Sequence, residues 1–244
     1  MHPFQSLVDT PPKTNIIGTS FQLFDEIDST NTWALQNGQD GQVVIADRQT
    51  AGRGRLGRTW FSLPGVGIWC TSVLAENDPG LTTAAALAVH DSIAGKCSPT
   101  IKWPNDILLN GKKICGILAE RKSGITALGI GINVHQRQHH FPKDLQEKAG
   151  SLEQITQRDW DRVELTRDLL THLDRNVMLI RQGRLHTLHE RWAEACQLEG
   201  KTIQLNGSME GIVNEIDTDG AIILGTPTGI QRIYSGDITI LNGD

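Results

Sequence analysis

Three stretches of the chain group residue types that can handle an anion. Between Gln49 and Trp60, Arg53, Arg55 and Arg58 alternate with Gly52, Gly54 and Gly57. Glycines let a backbone close over a ligand, and guanidinium groups offer planar donors for phosphate or carboxylate. The glycine spacing spells G-x-G-x-x-G, the pattern of a dinucleotide-binding turn. That turn must open a helix and grips pyrophosphate through backbone amides. Here Thr59-Trp60-Phe61-Ser62-Leu63-Pro64 follows, which makes a poor first helical turn. The expectation is a loop that orders on an anion, and the plainer alternative is an exposed basic surface loop.

The second stretch, Lys102-Trp103-Pro104-Asn105-Asp106, brings a cation, an amide and a carboxylate into one turn, because Pro104 keeps Trp103 out of a helix. A carboxylate there can hold Mg²⁺ or accept a proton. The third is Lys113 and Gly116, just beyond Asn110-Gly111, a strong hairpin signal. Strict alternation along the return strand puts Lys113 with Cys115 on one face and Ile114 with Gly116 on the other. An ordinary polar hairpin end is the competing reading of both stretches.

These residues need a scaffold, and the hydrophobic pattern supplies one. Phe21–Ile27, Val43–Ala46, Val66–Leu74, Thr100–Trp103, Ile107–Leu109, Ile114–Glu120 and Ala127–Val134 read as strands of a mixed sheet. Ser29 and Thr30 offer caps for a short helix ending at Gly38, and Leu81–Ala94 is alanine-rich and helical. Val163, Leu169, Leu170, Leu173, Val177 and Ile180 form one face of a helix over 159–181, and Leu185–Cys196 suits another. The face from Val163 to Ile180 is expected to be core packing. Beyond Leu198 short apolar runs alternate with glycine turns, so a small β module closes the chain. The expected division is a loose tail over 1–19, an α+β (α/β) domain over 20–198, and a β domain over 199–244.

Composition narrows the class. The chain has 244 residues and a net charge of −5, so a basic nucleic-acid-binding surface is not indicated. Cys70, Cys97, Cys115 and Cys196 form no C-x-x-C pair, which fits neither a zinc site nor a disulfide framework and points to a cytoplasmic setting. His135, His139 and His140 lie in a polar loop without metal-ligand spacing. The first twenty residues lack the features of a secretory signal, and no apolar run is long enough to span a bilayer.

In combination the segments resemble the biotin protein ligases. The resemblance is carried, in order, by Ser29-Thr30-Asn31, by Gln49 through Ser62, by Lys102 through Asp106, by Lys113-Ile114-Cys115-Gly116-Ile117-Leu118-Ala119-Glu120, and by Gly129-Ile130-Gly131-Ile132-Asn133-Val134. It spans roughly residues 20–240, and five motifs in order are specific where one alone is weak. It implies a mixed-sheet catalytic domain of the biotin/lipoate ligase type, followed by an SH3-like β-barrel. It also implies biotin and ATP as substrates, Mg²⁺, biotinyl-5'-AMP as intermediate, and a biotin carboxyl carrier domain as acceptor.

By the same resemblance, Ser29, Thr30 and Gln49 bind the ureido end of biotin, and Asn31 belongs to the site for biotin or biotinyl-AMP. Gly52, Arg53, Gly54, Arg55, Arg58 and Trp60 close over biotin and the adenylate, with Arg53 on the reacting carboxylate or phosphate and Arg55 retaining the adenylate. Lys113 serves the carboxylate and α-phosphate, Gly116 and Gly131 leave room for ligand, and Asn105 and Asn133 lie at the nucleotide end. Asp106 is both the Mg²⁺ candidate and the candidate base for the acceptor lysine. Leu56 and Cys115 depart from the residues usual at their positions. Some members carry an N-terminal DNA-binding domain; the residues before the first strand are too few for one, so no DNA partner is expected, while a homodimer is compatible with the family. A lipoate-protein ligase is the rival within the class, though its loop carries a glycine run after an Arg-Arg pair. A non-catalytic nucleic-acid-binding module is the rival outside it.

Overall fold

The computed structural model describes residues 1–241. Two sheets organise the chain. The first begins with β1 (Ser20–Ile27), crosses through helix α2 (Thr30–Asn37) and returns parallel as β2 (Gln42–Gln49). Helix α1 (Gln5–Asp9) precedes this unit. The next elements are β3 (Gly67–Leu74), α3 (Gly80–Ala94), β4 (Thr100–Lys102), β5 (Asp106–Leu109), β6 (Lys112–Lys122) and β7 (Ile125–Asn133). Their order across the sheet is β1-β2-β3-β7-β6-β5-β4, antiparallel everywhere except at β1–β2. This is the expected mixed sheet. The hairpin at Asn110-Gly111 is real: φ is 49° at Asn110 and 75° at Gly111, the left-handed pair that joins strands of native twist.

Alternation along the strands assigns the two faces. Ile68 and Cys70, Ile117, and Leu128, Ile130 and Ile132 enter the main core under the helices. Those helices are α3, α5 (Arg162–Arg181) and α6 (Leu185–Cys196). Asp161 caps α5 by accepting from the Val163 and Glu164 amides, so the helix starts slightly later than its apolar pattern suggests. The opposite face bears Trp69, Thr71, Gly116, Gly129, Gly131 and Asn133. Helix α2 and the 50–65 loop lie over it, and the site lies there. Short helix α4 (Leu152–Thr156) leads into α5.

The second sheet comprises β8 (Thr202–Leu205), β9 (Met209–Ile216), β10 (Ile222–Thr226), β11 (Gly229–Ile233) and β12 (Ile238–Ile240), antiparallel in the order β11-β10-β9-β8-β12. All four cysteines are free thiols. No helix among the described residues is long and apolar enough to cross a membrane.

Two expectations need correction. The N-terminal segment is not loose: Phe4, Leu7 and Ile17 are fully buried. It is pinned by Asp174 of α5, whose carboxylate accepts from the backbone amides of Asn15 (3.0 Å), Ile16 (2.6 Å) and Ile17 (2.9 Å). Polar composition hid this, because the partner lies about 158 residues away. Asp174→Ala would leave buried N–H groups unpaired, at about 1–3 kcal/mol each. Urea unfolding is expected to register a loss of about 3 kcal/mol, and a loss below about 0.5 kcal/mol would show that the segment is not anchored there.

The second correction concerns β6. Ile107 pairs with Cys115 but Leu108 pairs with Lys113, so Ile114 is an extra residue, a β-bulge. The bulge reverses the face of everything before it. Ile114 and Cys115 are both buried, while Lys113 joins Gly116 on the site face. Strict alternation had placed Lys113 with Cys115.

Candidate active site

The floor of the site is the start of α2. Ser29 caps the helix, accepting from the Thr32 amide at 3.4 Å. Gln49 Oε1 accepts from the Thr30 amide (2.9 Å) and hydroxyl (3.1 Å), while its Nε2 donates to Ser62 Oγ at 2.8 Å. Asn31 Oδ1 accepts from the Thr71 hydroxyl at 2.7 Å, and its Nδ2 donates to Leu118 O and Glu120 Oε2. Every partner of Nδ2 is a pure acceptor, so the amide orientation is fixed. Gly129 admits this side chain: a Cβ there would lie 2.3 Å from Asn31 Oδ1.

The glycine–arginine stretch forms a narrow hairpin. Arg53 pairs with Thr59, the Gly54 amide donates to Arg58 O at 2.7 Å, and the Trp60 amide to Gly52 O at 2.9 Å. A 3-10 turn over Arg55–Gly57 makes the tip, with Leu56 at φ 55°. No α-helix follows, in keeping with the rejection of a dinucleotide turn. The three arginines go to three different acids or amides. Arg53 Nη2 meets Glu120 Oε2 at 2.7 Å, Arg55 Nη1 donates to Asn105 Oδ1 at 2.7 Å, and Arg58 Nη2 meets Asp237 Oδ2 at 3.1 Å.

Trp60 folds back into the sheet, edge-on to Trp69 with ring centroids 6.3 Å apart. Its indole occupies the space above two glycines: a Cβ on Gly131 would lie 2.4 Å from Trp60 Nε1, and one on Gly116 would lie 2.8 Å from the ring. The indole N–H is buried without a partner among the described residues. Lys113 Nζ lies 5.4 Å from the same ring and 2.7 Å from Asp106 Oδ1. That last contact is an ion pair without hydrogen-bond alignment, so Oδ1 is a buried acceptor without a hydrogen bond among the described residues.

Asn105 is buried, donates to Ile117 O at 2.8 Å, and so presents its Oδ1 to Arg55. Asn133 shares the face of Gly131, but its amide is already committed to Gly150 O (3.0 Å) and Gln136 Nε2 (3.0 Å). Gly150 in turn pairs with the backbone of Lys113. Burial pushes Cys70 up to about 12 and holds Cys115 well above an ordinary thiol, so neither supplies a thiolate.

The second sheet reaches the site. Trp103 is buried and its indole donates to Gly220 O at 3.1 Å, while Lys102 Nζ lies 3.4 Å from Asp237 Oδ1. Partial burial opposes ionisation of Asp237, but Arg58 and Lys102 outweigh it and hold that carboxyl below the usual range. Sequence reasoning assigned no role to Thr71, Ser62, Glu120 or Asp237. Ser62 and Glu120 end two of the motifs without a role that their type announces, and Thr71 and Asp237 reach the motifs only through the folded register.

Lys113, the three arginines of the loop, a carboxylate oxygen without a hydrogen bond among the described residues and a space above two glycines can bring two anions together and exclude water from them. The comparisons with known proteins agree with that chemistry. Residues 23–136 match the Biotin/lipoate A/B protein ligase family, and residues 201–241 match the Biotin protein ligase C terminal domain. The bifunctional ligase/repressor BirA of Bacillus spizizenii is 37% identical over 93% of this chain and 76% of its own length.

The chain belongs to the biotin protein ligase family.

The biotin–[acetyl-CoA-carboxylase] ligase of Paracoccus denitrificans is 33% identical, over 86% of this chain and 96% of its own. The biotin protein ligase of Aquifex aeolicus solved with biotin and ATP superposes with a TM-score of 0.83, at 29% identity, over 92% of this chain and all of that one. Family and fold thus agree with the motif order. The loop, the hairpin and the second sheet share contacts around these motifs.

Proposed function

We propose that this chain is an ATP-dependent biotin–protein ligase. It joins biotin to ATP, giving biotinyl-5'-AMP and pyrophosphate, and then passes the biotinyl group to a lysine of a biotin carboxyl carrier domain. The observation that carries the reading is the bulge that turns Lys113 onto the glycine face, next to Asp106 and under the arginine loop. Two anions, the biotin carboxylate and the α-phosphate, must meet there. Lys113 and Arg53 offset their repulsion and the charge that builds as the carboxylate oxygen attacks phosphorus. Ser29, Thr30 and Gln49 orient the ureido end, and Asn31 supports them through the Thr71 hydroxyl, which bonds both Asn31 Oδ1 and Thr30 Oγ1. Arg55, Arg58, Trp60 and Asn105 hold the adenylate and keep water from the mixed anhydride. Asn133 is better read as a positioning residue for Lys113, through Gly150, than as a nucleotide contact.

The residues also fit Mg²⁺. Asp106 has an oxygen without a hydrogen bond, and Mg²⁺ is commonly held by one or two carboxylates plus substrate phosphates. Bound there, the ion would neutralise phosphate charge. In the second step the carrier lysine, with a reference pKa of about 10.4, must lose a proton before it attacks the acyl carbon. Asp106 Oδ1 is the acceptor placed to take it. Asp106→Asn is expected to slow transfer from preformed biotinyl-AMP about 100-fold, as loss of a general base does. An enzyme impaired only in forming the adenylate would remove that role. We place the reaction in the cytoplasm, with a carboxylase subunit as acceptor.

ATP–pyrophosphate exchange tests the whole reading. Exchange dependent on biotin is expected. Exchange with lipoate alone would move the chain to the sister activity, and no exchange with either acid would refute the proposal.

A further inference from the structure

Glu120 joins the two ends of the site. Its Oε2 accepts from Asn31 Nδ2 at 2.9 Å on the floor and from Arg53 Nη2 at 2.7 Å on the loop. Asn31 is buried and its amide is fully committed to Glu120, Leu118 and Thr71, so it holds the carboxylate in place. Arg53 is freer, with 43% of its side chain exposed, and Glu120 is its one carboxylate partner among the described residues. One end of this link is fixed, and the other can let go.

We propose that Glu120 is an internal anion that occupies Arg53 until the ligand's own anion replaces it, and that it thereby tunes which ligands the site accepts. The inference rests on the reading of Arg53 as a contact for the reacting carboxylate or phosphate. An exposed ion pair is worth about 0.2–1 kcal/mol, small enough for a ligand to break. The direction of the effect is set by charge alone. The Glu120 carboxylate repels an incoming anion and also competes with it for Arg53, so both effects penalise an anionic ligand. A neutral ligand of the same shape meets neither. Glu120 thus weakens the hold on the free acid and makes departure of a charged product less costly, because Arg53 has a partner waiting.

Glu120→Gln keeps the size of the side chain and an acceptor for Asn31 while removing the charge. Calorimetric titration with biotin and with biotinol, in which a neutral hydroxymethyl group replaces the carboxylate, reads the effect as a ratio within one protein, so general loosening cancels. In Glu120→Gln, biotin is expected to bind about two- to fivefold more tightly, the range set by an exposed ion pair, with biotinol unchanged. Arg53→Ala should weaken biotin relative to biotinol, and adding Glu120→Gln to it should shrink the gain. Equal changes for both ligands in Glu120→Gln, or none for biotin, overturn the inference while leaving Arg53 as a contact. If Arg53→Ala leaves the biotin-to-biotinol ratio at the wild-type value, the Arg53 reading itself fails and the inference falls with it.

Discussion

Replacing Lys113 with Ala is expected to cut biotin-dependent ATP–pyrophosphate exchange by about 10³-fold, more through kcat than through KM for biotin. A unit charge about 4 Å from an opposite one, at a partly screened site, is worth about 4 kcal/mol, and each 1.4 kcal/mol is a decade. Most of that interaction matters when charge accumulates between carboxylate and α-phosphate, so it belongs to the barrier. The fold should survive, because about a third of the side chain is exposed (34%) and the bulge is held by the backbone pairing of Lys113 with Lys148 and Gly150. Lys113→Arg is not expected to rescue, since the guanidinium is planar and larger where the ammonium sits against Asp106 and the Trp60 ring. Exchange within a fewfold of wild type in Lys113→Ala would remove the residue from the chemistry.

The second large effect is expected at Gly52. A Cβ there would lie 2.4 Å from the carbonyl oxygen of Trp60, 3.0 Å from Ser62 Oγ and 3.2 Å from Gln49 Nε2. A backbone oxygen has no rotamer to escape into. Relief must break the Trp60–Gly52 hydrogen bond at 2.9 Å and open the hairpin that carries all three arginines. Gly52→Ala should therefore release biotinyl-AMP about 100-fold faster, the scale of a reacting geometry lost by about 1 Å. The melting temperature should hardly move, because the loop is peripheral to the core. At Gly54 the nearest atom would be 3.4 Å away, an ordinary contact, so Gly54→Ala should cost several-fold at most. Release from Gly52→Ala at the wild-type rate would mean that the loop holds its ligand without this hairpin.

Much of the scaffold was legible because its signals are local. Asn110-Gly111 names its own turn, and Leu128, Ile130 and Ile132 alternate as a half-buried strand must. The poor helix start after Trp60 was enough to reject a nucleotide turn. The misses are non-local. Ile114 looks like any strand residue, and only the pairing of Leu108 with Lys113 exposes the bulge that decides which way the site lysine faces. The N-terminal segment reads as tail because its anchor, Asp174, sits on a helix far along the chain. Glu120 ends a motif that assigns it no role, and Asp237 lies in none. Each becomes relevant only because the folded chain brings an arginine to it.

The hydrogen bond from Trp103 to Gly220 spans 117 residues, and its consequence lies in how the protein is made. At about 5–20 residues per second, Gly220 is polymerised about 6–23 s after Trp103. The seven strands of the first sheet are complete by Asn133, so that sheet can fold during the wait. The Trp103 indole N–H and the Lys102 ammonium, however, gain their contacts with Gly220 and Asp237 only when those residues emerge. A nascent chain therefore holds a formed sheet with an unfinished turn beside Asn105 and Asp106, and the site matures only when the second sheet docks.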